Sequence, residues 1–147
     1  MVEGDIGSLS LPPLAAPEQR DELWRHTCFE AFVRAGEGGY HEFNFAPSQQ
    51  WAAYRFDAYR SGLTTLVGVE APHIQPHADG AAYLLNVSLD LSRVQELQAS
   101  PWRLGVSAVI EDTDGRISYW ALAHPPGKPD FHHPDSFVLE LPPPSPA

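Results

Sequence analysis

The sequence has one cysteine, Cys28, so no disulfide can form within the chain. Its one methionine is Met1, which leaves no internal methionine for Met/His ligation of haem iron and only the His/His alternative. It has one lysine, Lys128, and its 9 basic residues stand against 19 acidic ones, a net charge of −10. A chain so poor in positive charge is not built to neutralise nucleic-acid phosphates or to dock on an anionic membrane. No apolar run approaches the roughly 18 residues of a membrane-spanning helix. Residues 1–5 lack the basic, apolar and small-residue parts of a secretory signal, so the expected location is cytoplasmic. Neither a glycine-flanked serine elbow nor a phosphate-cradling glycine loop occurs. What the sequence does have is proline, 15 residues of 147, which points to many short elements joined by turns in one domain.

The hydrophobic pattern has a period of 2 along most of the chain. In residues 26–34, Phe29, Ala31 and Val33 alternate with Cys28, Glu30, Phe32 and Arg34; after the turn residues Gly36-Glu37-Gly38-Gly39, Phe43 and Phe45 alternate with Tyr40, Glu42 and Asn44. This predicts a hairpin in which Phe29 faces Phe45 and Ala31 faces Phe43 on the core side, while Glu30 faces Asn44 and Phe32 faces Glu42 on the other. Residues 51–60 fit both a helical and a strand face, and their aromatics favour strand. Further strands are expected at 65–71, 82–91, 102–111, 116–123 and 136–141, with Asp112-Thr113-Asp114-Gly115 as a hairpin turn. A single short helix is expected at 92–98, with Ser92 as its N-cap. Short strands with turns between them predict an all-β antiparallel β-sandwich or barrel. The Pro/Ala-rich stretch at 11–17 and the Pro-rich tail at 142–147 bound it, which gives an N-terminal strand end and linker at 1–20 and a ligand-binding domain at 21–141.

Candidate chemistry falls in three places. The proline-stiffened loop 124–135 holds His124, Lys128, Asp130, His132 and His133. His124, Asp130 and one of His132 or His133 could ligate a divalent metal such as zinc, though their spacing matches no standard zinc motif; in the alternative, Asp130 caps the turn and one histidine packs on a tryptophan. The polar face of the first hairpin carries Glu30, Glu42 and Asn44, suited to vicinal hydroxyls. Two such carboxyls could also serve a glycosidase, or could simply pair with Arg34, Arg55 or Arg60 across the sheet. Third are the aromatics and arginines, Trp24, Trp51, Tyr54, Tyr59, Trp102, Tyr119 and Trp120 with Arg55 and Arg60: Trp24 and Trp120 read as the ligand-facing stacking surfaces, Arg55 and Arg60 as charges, and Trp102 as core. Trp120 falls out of phase with Ile117, Tyr119 and Ala121, which suggests that it faces a ligand. Cys28, two residues from His26, reads as a small core hydrophobe rather than a nucleophile.

Four of these stretches occur together: Leu23-Trp24-Arg25-His26-Thr27-Cys28-Phe29-Glu30-Ala31-Phe32; Tyr40-His41-Glu42-Phe43-Asn44-Phe45-Ala46-Pro47-Ser48; Trp51-Ala52-Ala53-Tyr54-Arg55-Phe56; and Tyr119-Trp120-Ala121-Leu122-Ala123-His124-Pro125 with Gly127-Lys128-Pro129-Asp130-Phe131-His132. Their combination, over about residues 21–141, resembles the DOMON-like family of bacterial proteins, which is related to the family-9 carbohydrate-binding modules. The resemblance implies a jelly-roll β-sandwich whose concave face binds a sugar or haem without catalysis. Members of that family carry more strand-forming sequence before the position of Leu9, so the sandwich is expected to lack N-terminal edge strands, or else the chain to start late, in which case the location could be periplasmic. An unpaired sheet edge could make a homodimer. The haem methionine of DOMON domains has no counterpart, which favours a sugar or sugar-like polar metabolite. The ligand-binding set is then Trp24, Glu30, Glu42, Asn44, Arg55, Arg60, Trp120, His124, Lys128, Asp130 and His132, with no cofactor predicted and a hydrolase on the same face as the alternative.

Overall fold

The computed structural model describes residues 1–145; the last two residues of the expected 142–147 tail lie outside the described residues. Among the described residues the chain forms two antiparallel sheets, of three and seven strands, that make a β-sandwich. The smaller sheet has the order β1 (Val2–Glu3), β7 (Ala82–Ser88), β6 (His73–Ala78). In the larger, β8 (Trp102–Glu111) lies beside β2 (Cys28–Ala35), followed by β3 (Tyr40–Phe45), β4 (Trp51–Phe56) and β5 (Thr64–Thr65). The free side of β8 is shared end to end by β10 (Leu139–Leu141) on Trp102 to Leu104 and β9 (Ile117–Ala121) on Ser107 to Glu111.

The first hairpin has the register its alternation predicts: Phe29 pairs with Phe45, Glu30 with Asn44, Ala31 with Phe43 and Phe32 with Glu42. β8 spans the predicted 102–111, and Gly115 turns the chain into β9 at φ +81°, with Asp112 Oδ1 accepting from the backbone N–H groups of Asp114 and Arg116. Strand is likewise the outcome for the ambiguous segment at β4. Two expectations need correction. No α-helix forms at 92–98; a single 3-10 turn, Gln95–Leu97, forms instead, and Ser92 is not its cap but donates its N–H to Asp90. Val94 and Leu97 stand one 3-10 turn apart and therefore point the same way, into the core. The strand expected at 65–71 shrinks to Thr64–Thr65 at the edge of the large sheet, and an unexpected strand, β6, which the sequence hides behind His73, Gln75 and Pro76, pairs with β7 in the smaller one. Pro76 is tolerated because β6 is an edge strand, with an outer side that needs no donor.

Alternate residues of the large sheet face opposite ways. One face, with Val33, Phe43, Phe45, Trp51 and Ala53, packs on Ile74 of β6, on Val94 and Leu97, and on the half-buried Leu85 and Val87 of β7. The other face carries Phe32, Tyr40, Ala52, Tyr54, Phe56 and Val109, and no sheet covers it. Its cover is the loop 124–137, whose Phe131 and Phe137 join that cluster. Residues 1–20 are tied to the sandwich at both ends: β1 pairs with β7, Leu9 bridges to Asp112, and Gln19 bridges to Trp51.

Candidate functional site

The loop 124–137 is held by a small set of polar contacts. Asp130 Oδ1 accepts from Arg60 Nη2 at 2.7 Å and from the His132 N–H at 3.2 Å, Tyr59 donates its hydroxyl to Asp130 Oδ2, and Ser136 Oγ donates to the Asp130 carbonyl at 3.1 Å. One end of the loop is thereby stapled to the segment after β4. At the same end His132 sits edge-on to Phe32 and Phe56, with ring centroids 4.9 and 5.1 Å away, and Tyr40 stacks on Phe56 at 4.9 Å. The Arg60 N–H donates to Tyr40 Oη at 3.1 Å, so the Tyr40 hydroxyl is free to donate to His132 Nδ1 at 2.7 Å. That leaves the His132 ring proton on Nε2, which looks toward Glu42 Oε2 at 3.9 Å. Burial, reinforced by Arg60, pushes the His132 pKa down to about 4, so the ring is neutral near pH 7.

The loop seals only that end. Over the rest of the face a cavity of about 670 Å³ remains open to solvent. Its floor is Glu30 and Glu42 with Tyr54 and Val109; aromatic walls come from Trp24, Phe56, Tyr119 and Phe131, and Arg60 and His132 stand at the stapled end. Glu30 and Glu42 are diagonal neighbours on β2 and β3, because Glu30 pairs with Asn44, two residues along. They are 4% and 6% exposed, yet no arginine pairs with either among the described residues. Asn44, with its amide turned to satisfy its neighbours, donates to Glu42 Oε1 and to the Phe43 carbonyl, each at 3.2 Å. Glu30 has no hydrogen-bond partner among the described residues, and the Ser107 hydroxyl, on the residue paired with it in β8, has none either. Burial, and then the nearby Glu42, push the Glu30 pKa up to about 8; burial pushes Glu42 up to about 7, against the pull of Asn44 and Arg60. Tyr54 donates to Asp21 Oδ1 at 2.7 Å, which brings a further acidic group to the mouth.

Of the residues expected from sequence, the cavity gathers Trp24, Glu30, Glu42, Arg60 and His132. The others need correction. Asn44 is fully buried beneath the floor and acts on Glu42, not on the cavity. Arg55 lies on the opposite face of β4, paired with Glu96 and Asp57. Trp120 also faces the opposite side, 63% exposed, with its indole N–H on Ser118 Oγ. Its strand phase is as expected, but it is Tyr119, with Ile117 and Ala121, that shares the cavity side with Ser107 and Val109. His124 stacks on Phe131 instead of lining the space, Lys128 is exposed outside it, and Asp130 is consumed by Arg60 and Tyr59. The trio of metal candidates does not assemble: His133 turns to Asp135 and His132 to Tyr40, and among the described residues no three His, Cys, Asp or Glu side chains gather around one point. His/His ligation of haem does not fit the cavity, which a single histidine lines. Cys28 is fully buried, its thiol pushed up by burial and by Glu30, while His26 turns away to Glu111 Oε2 at 2.7 Å.

Asp21, Tyr54, Phe56, Tyr119 and Phe131 also line the cavity, though none belongs to the ligand-binding set expected from sequence. Carrying the hairpin register one strand further would have found Tyr54, which pairs with Glu42. No protein-family model matches the chain, and no curated protein or solved structure matches it.

Proposed function

We propose that this sandwich binds a small polyhydroxylated ligand, a sugar or a sugar-like metabolite, in the cavity under the loop 124–137. The observation that carries the reading is the placing of two carboxyl side chains, buried and free of arginine, on the floor of an open aromatic-walled space. Carboxyls whose pKa values sit near neutrality can accept from one hydroxyl and donate to another, which suits vicinal diols. The rings of Trp24 and Tyr119, each about half exposed at the mouth, offer flat faces to the C–H side of a pyranose. The resemblance to the DOMON-like family supports the same reading. Titration of a monosaccharide panel, followed by tryptophan fluorescence, tests it. A saturable change that is reduced in Trp24→Phe is expected; an unaltered signal across the panel in folded protein would overturn the proposal.

The same pair of carboxyls favours a second reading, hydrolysis of a glycoside by a protonated carboxylic acid and an ionised partner. Release of product from chromogenic glycosides decides it, and no turnover above the rate of Glu42→Gln would remove it.

A further inference from the structure

The charge balance of the cavity is one-sided. Its acidic lining residues are Asp21, Glu22, Glu30 and Glu42, and the one cation among the lining residues is Arg60. The Arg60 guanidinium donates to Asp130 at 2.7 Å, so that carboxylate takes most of its charge and Glu42 feels only a remote pull. His132 supplies no compensation, being neutral and engaged by Tyr40. Glu22 is balanced by Arg25 at 3.1 Å, outside the floor. Among the described residues Glu30 and Glu42 thus stand with no ion-pair partner other than the neutral His132, and Glu30 is a polar side chain more than nine-tenths buried that lines the cavity. Leaving two carboxyls in that position is costly unless something supplies hydrogen bonds and positive charge. Lining the same cavity are aromatic rings from different elements, Tyr54 and Phe56 on β4, Phe131 on the loop and Trp24 at the mouth. Acidic side chains in an aromatic-lined cavity form a combination that favours an organic ammonium group, held by charge and by the ring quadrupoles together.

Resting on the binding reading above, we propose that the ligand is cationic: an amino sugar or amino polyol whose protonated amine sits between Glu30 and Glu42 while its ring stacks on the aromatic wall. A cation there ionises the pair and satisfies Glu30, the group the protein leaves without a partner. Anionic sugars are excluded by the same two carboxyls. The floor is rigid, since both glutamates project from paired central strands and Asn44 fixes Glu42. A pre-formed site of this kind discriminates by charge without having to move.

Calorimetric titration at pH 8 with glucose, glucuronate, 3-amino-3-deoxyglucose, 6-amino-6-deoxyglucose and n-butylammonium separates this inference from the binding reading beneath it. At least one of the two amino sugars is expected to bind 10-fold or more tightly than glucose, on the order of 1.4 kcal/mol, with glucuronate weakest of all. Glucose binding as tightly as both amino sugars would overturn the cationic inference and leave the sugar reading standing. Butylammonium binding as well as the amino sugars, with glucose silent, would do the reverse. Silence from every probe would remove both. In Glu30→Gln the ratio of amino-sugar to glucose affinity is expected to fall to within about threefold, whatever the change in glucose affinity itself; a retained preference would show that the buried pair does not recognise the charge. Glu42→Gln serves as the second variant, with the same expectation, so that a folding defect in either one leaves the question decidable.

Discussion

The two faces of the large sheet are built from alternate residues of the same strands, and they end as opposites. On one, Val33, Phe43, Phe45, Trp51 and Ala53 meet the smaller sheet and close into an apolar core. On the other, Glu30, Glu42 and Tyr54 meet a loop, and a cavity stays open. Both faces are largely buried, so burial does not separate them. The difference lies in the cover. A sheet lays a continuous apolar surface over its partner, whereas the loop 124–137 brings its aromatics down at one end only, where Asp130 staples it to Tyr59 and Arg60. Polar groups with no protein partner survive where the cover stops, and that is where a ligand can satisfy them.

The strongest way to break the comparison is to open the closed face. Phe43→Ala removes a ring 1% exposed from the dry core and is expected to cost about 3–5 kcal/mol, read as a drop in the urea midpoint. A loss below about 1 kcal/mol would mean that the smaller sheet does not seal that face. On the open face the expected effect has the opposite sign and grows with pH. The Glu30 pKa is raised in the folded protein from the ordinary 4.5 to about 8, so the folded state keeps a proton that the unfolded state loses. Stability from this group is complete below pH 4.5 and declines as the pH climbs through that interval, by up to about 1.4 kcal/mol per unit, reaching its floor above pH 8. Glu30→Gln removes that decline. Its melting temperature, measured from pH 4 to 9, is expected to match the parent at the acid end and to exceed it increasingly as the pH rises. A constant difference, or an advantage that shrinks with pH, would contradict the assignment of Glu30 as a buried acid without a partner.

Period-2 alternation made the closed face legible from sequence, and with it the hairpin register that puts Glu30 and Glu42 on one floor, because β2 and β3 are neighbours in sequence joined by the glycine-rich turn 36–39. What stayed hidden depends on contacts distant in sequence. Arg60 and Asp130 meet across the loop, 70 residues apart, and no local pattern announces them. Arg55 shares a face with Trp51 and Ala53, away from Tyr54, as strand alternation at 51–60 requires, so its charge belongs to the other side of the sheet. β6 escaped notice because an edge strand may contain proline and polar residues that a central strand could not. The cavity itself is a product of incomplete cover, which alternation cannot express: it distinguishes the sides of a strand but not what lies over them.

Trp120 sharpens the point at the smallest scale. The alternation of Ile117, Tyr119 and Ala121 against Trp120 is real, but alternation alone makes the apolar set core and the odd residue ligand-facing. In the structure the inward direction at β9 is the cavity side, so Tyr119 lines the site and Trp120 points away from it. The indole is 63% exposed, and the smaller sheet, whose β6 and β7 lie over the dry core around Val33 and Phe43, leaves this end of β8 and β9 bare, since Val106 and Leu122 are exposed there too. Trp120→Ala is therefore expected to change stability by no more than about 0.5 kcal/mol. It is also expected to leave the ligand affinity untouched, whereas Tyr119→Ala, one residue away on the same strand, weakens binding severalfold with a similarly small change in stability. The pair is measured by calorimetric titration with whichever sugar binds the parent. Loss of binding in Trp120→Ala with Tyr119→Ala unaffected would move the site to the other face of β9 and reverse the contrast between the two sides of the sheet.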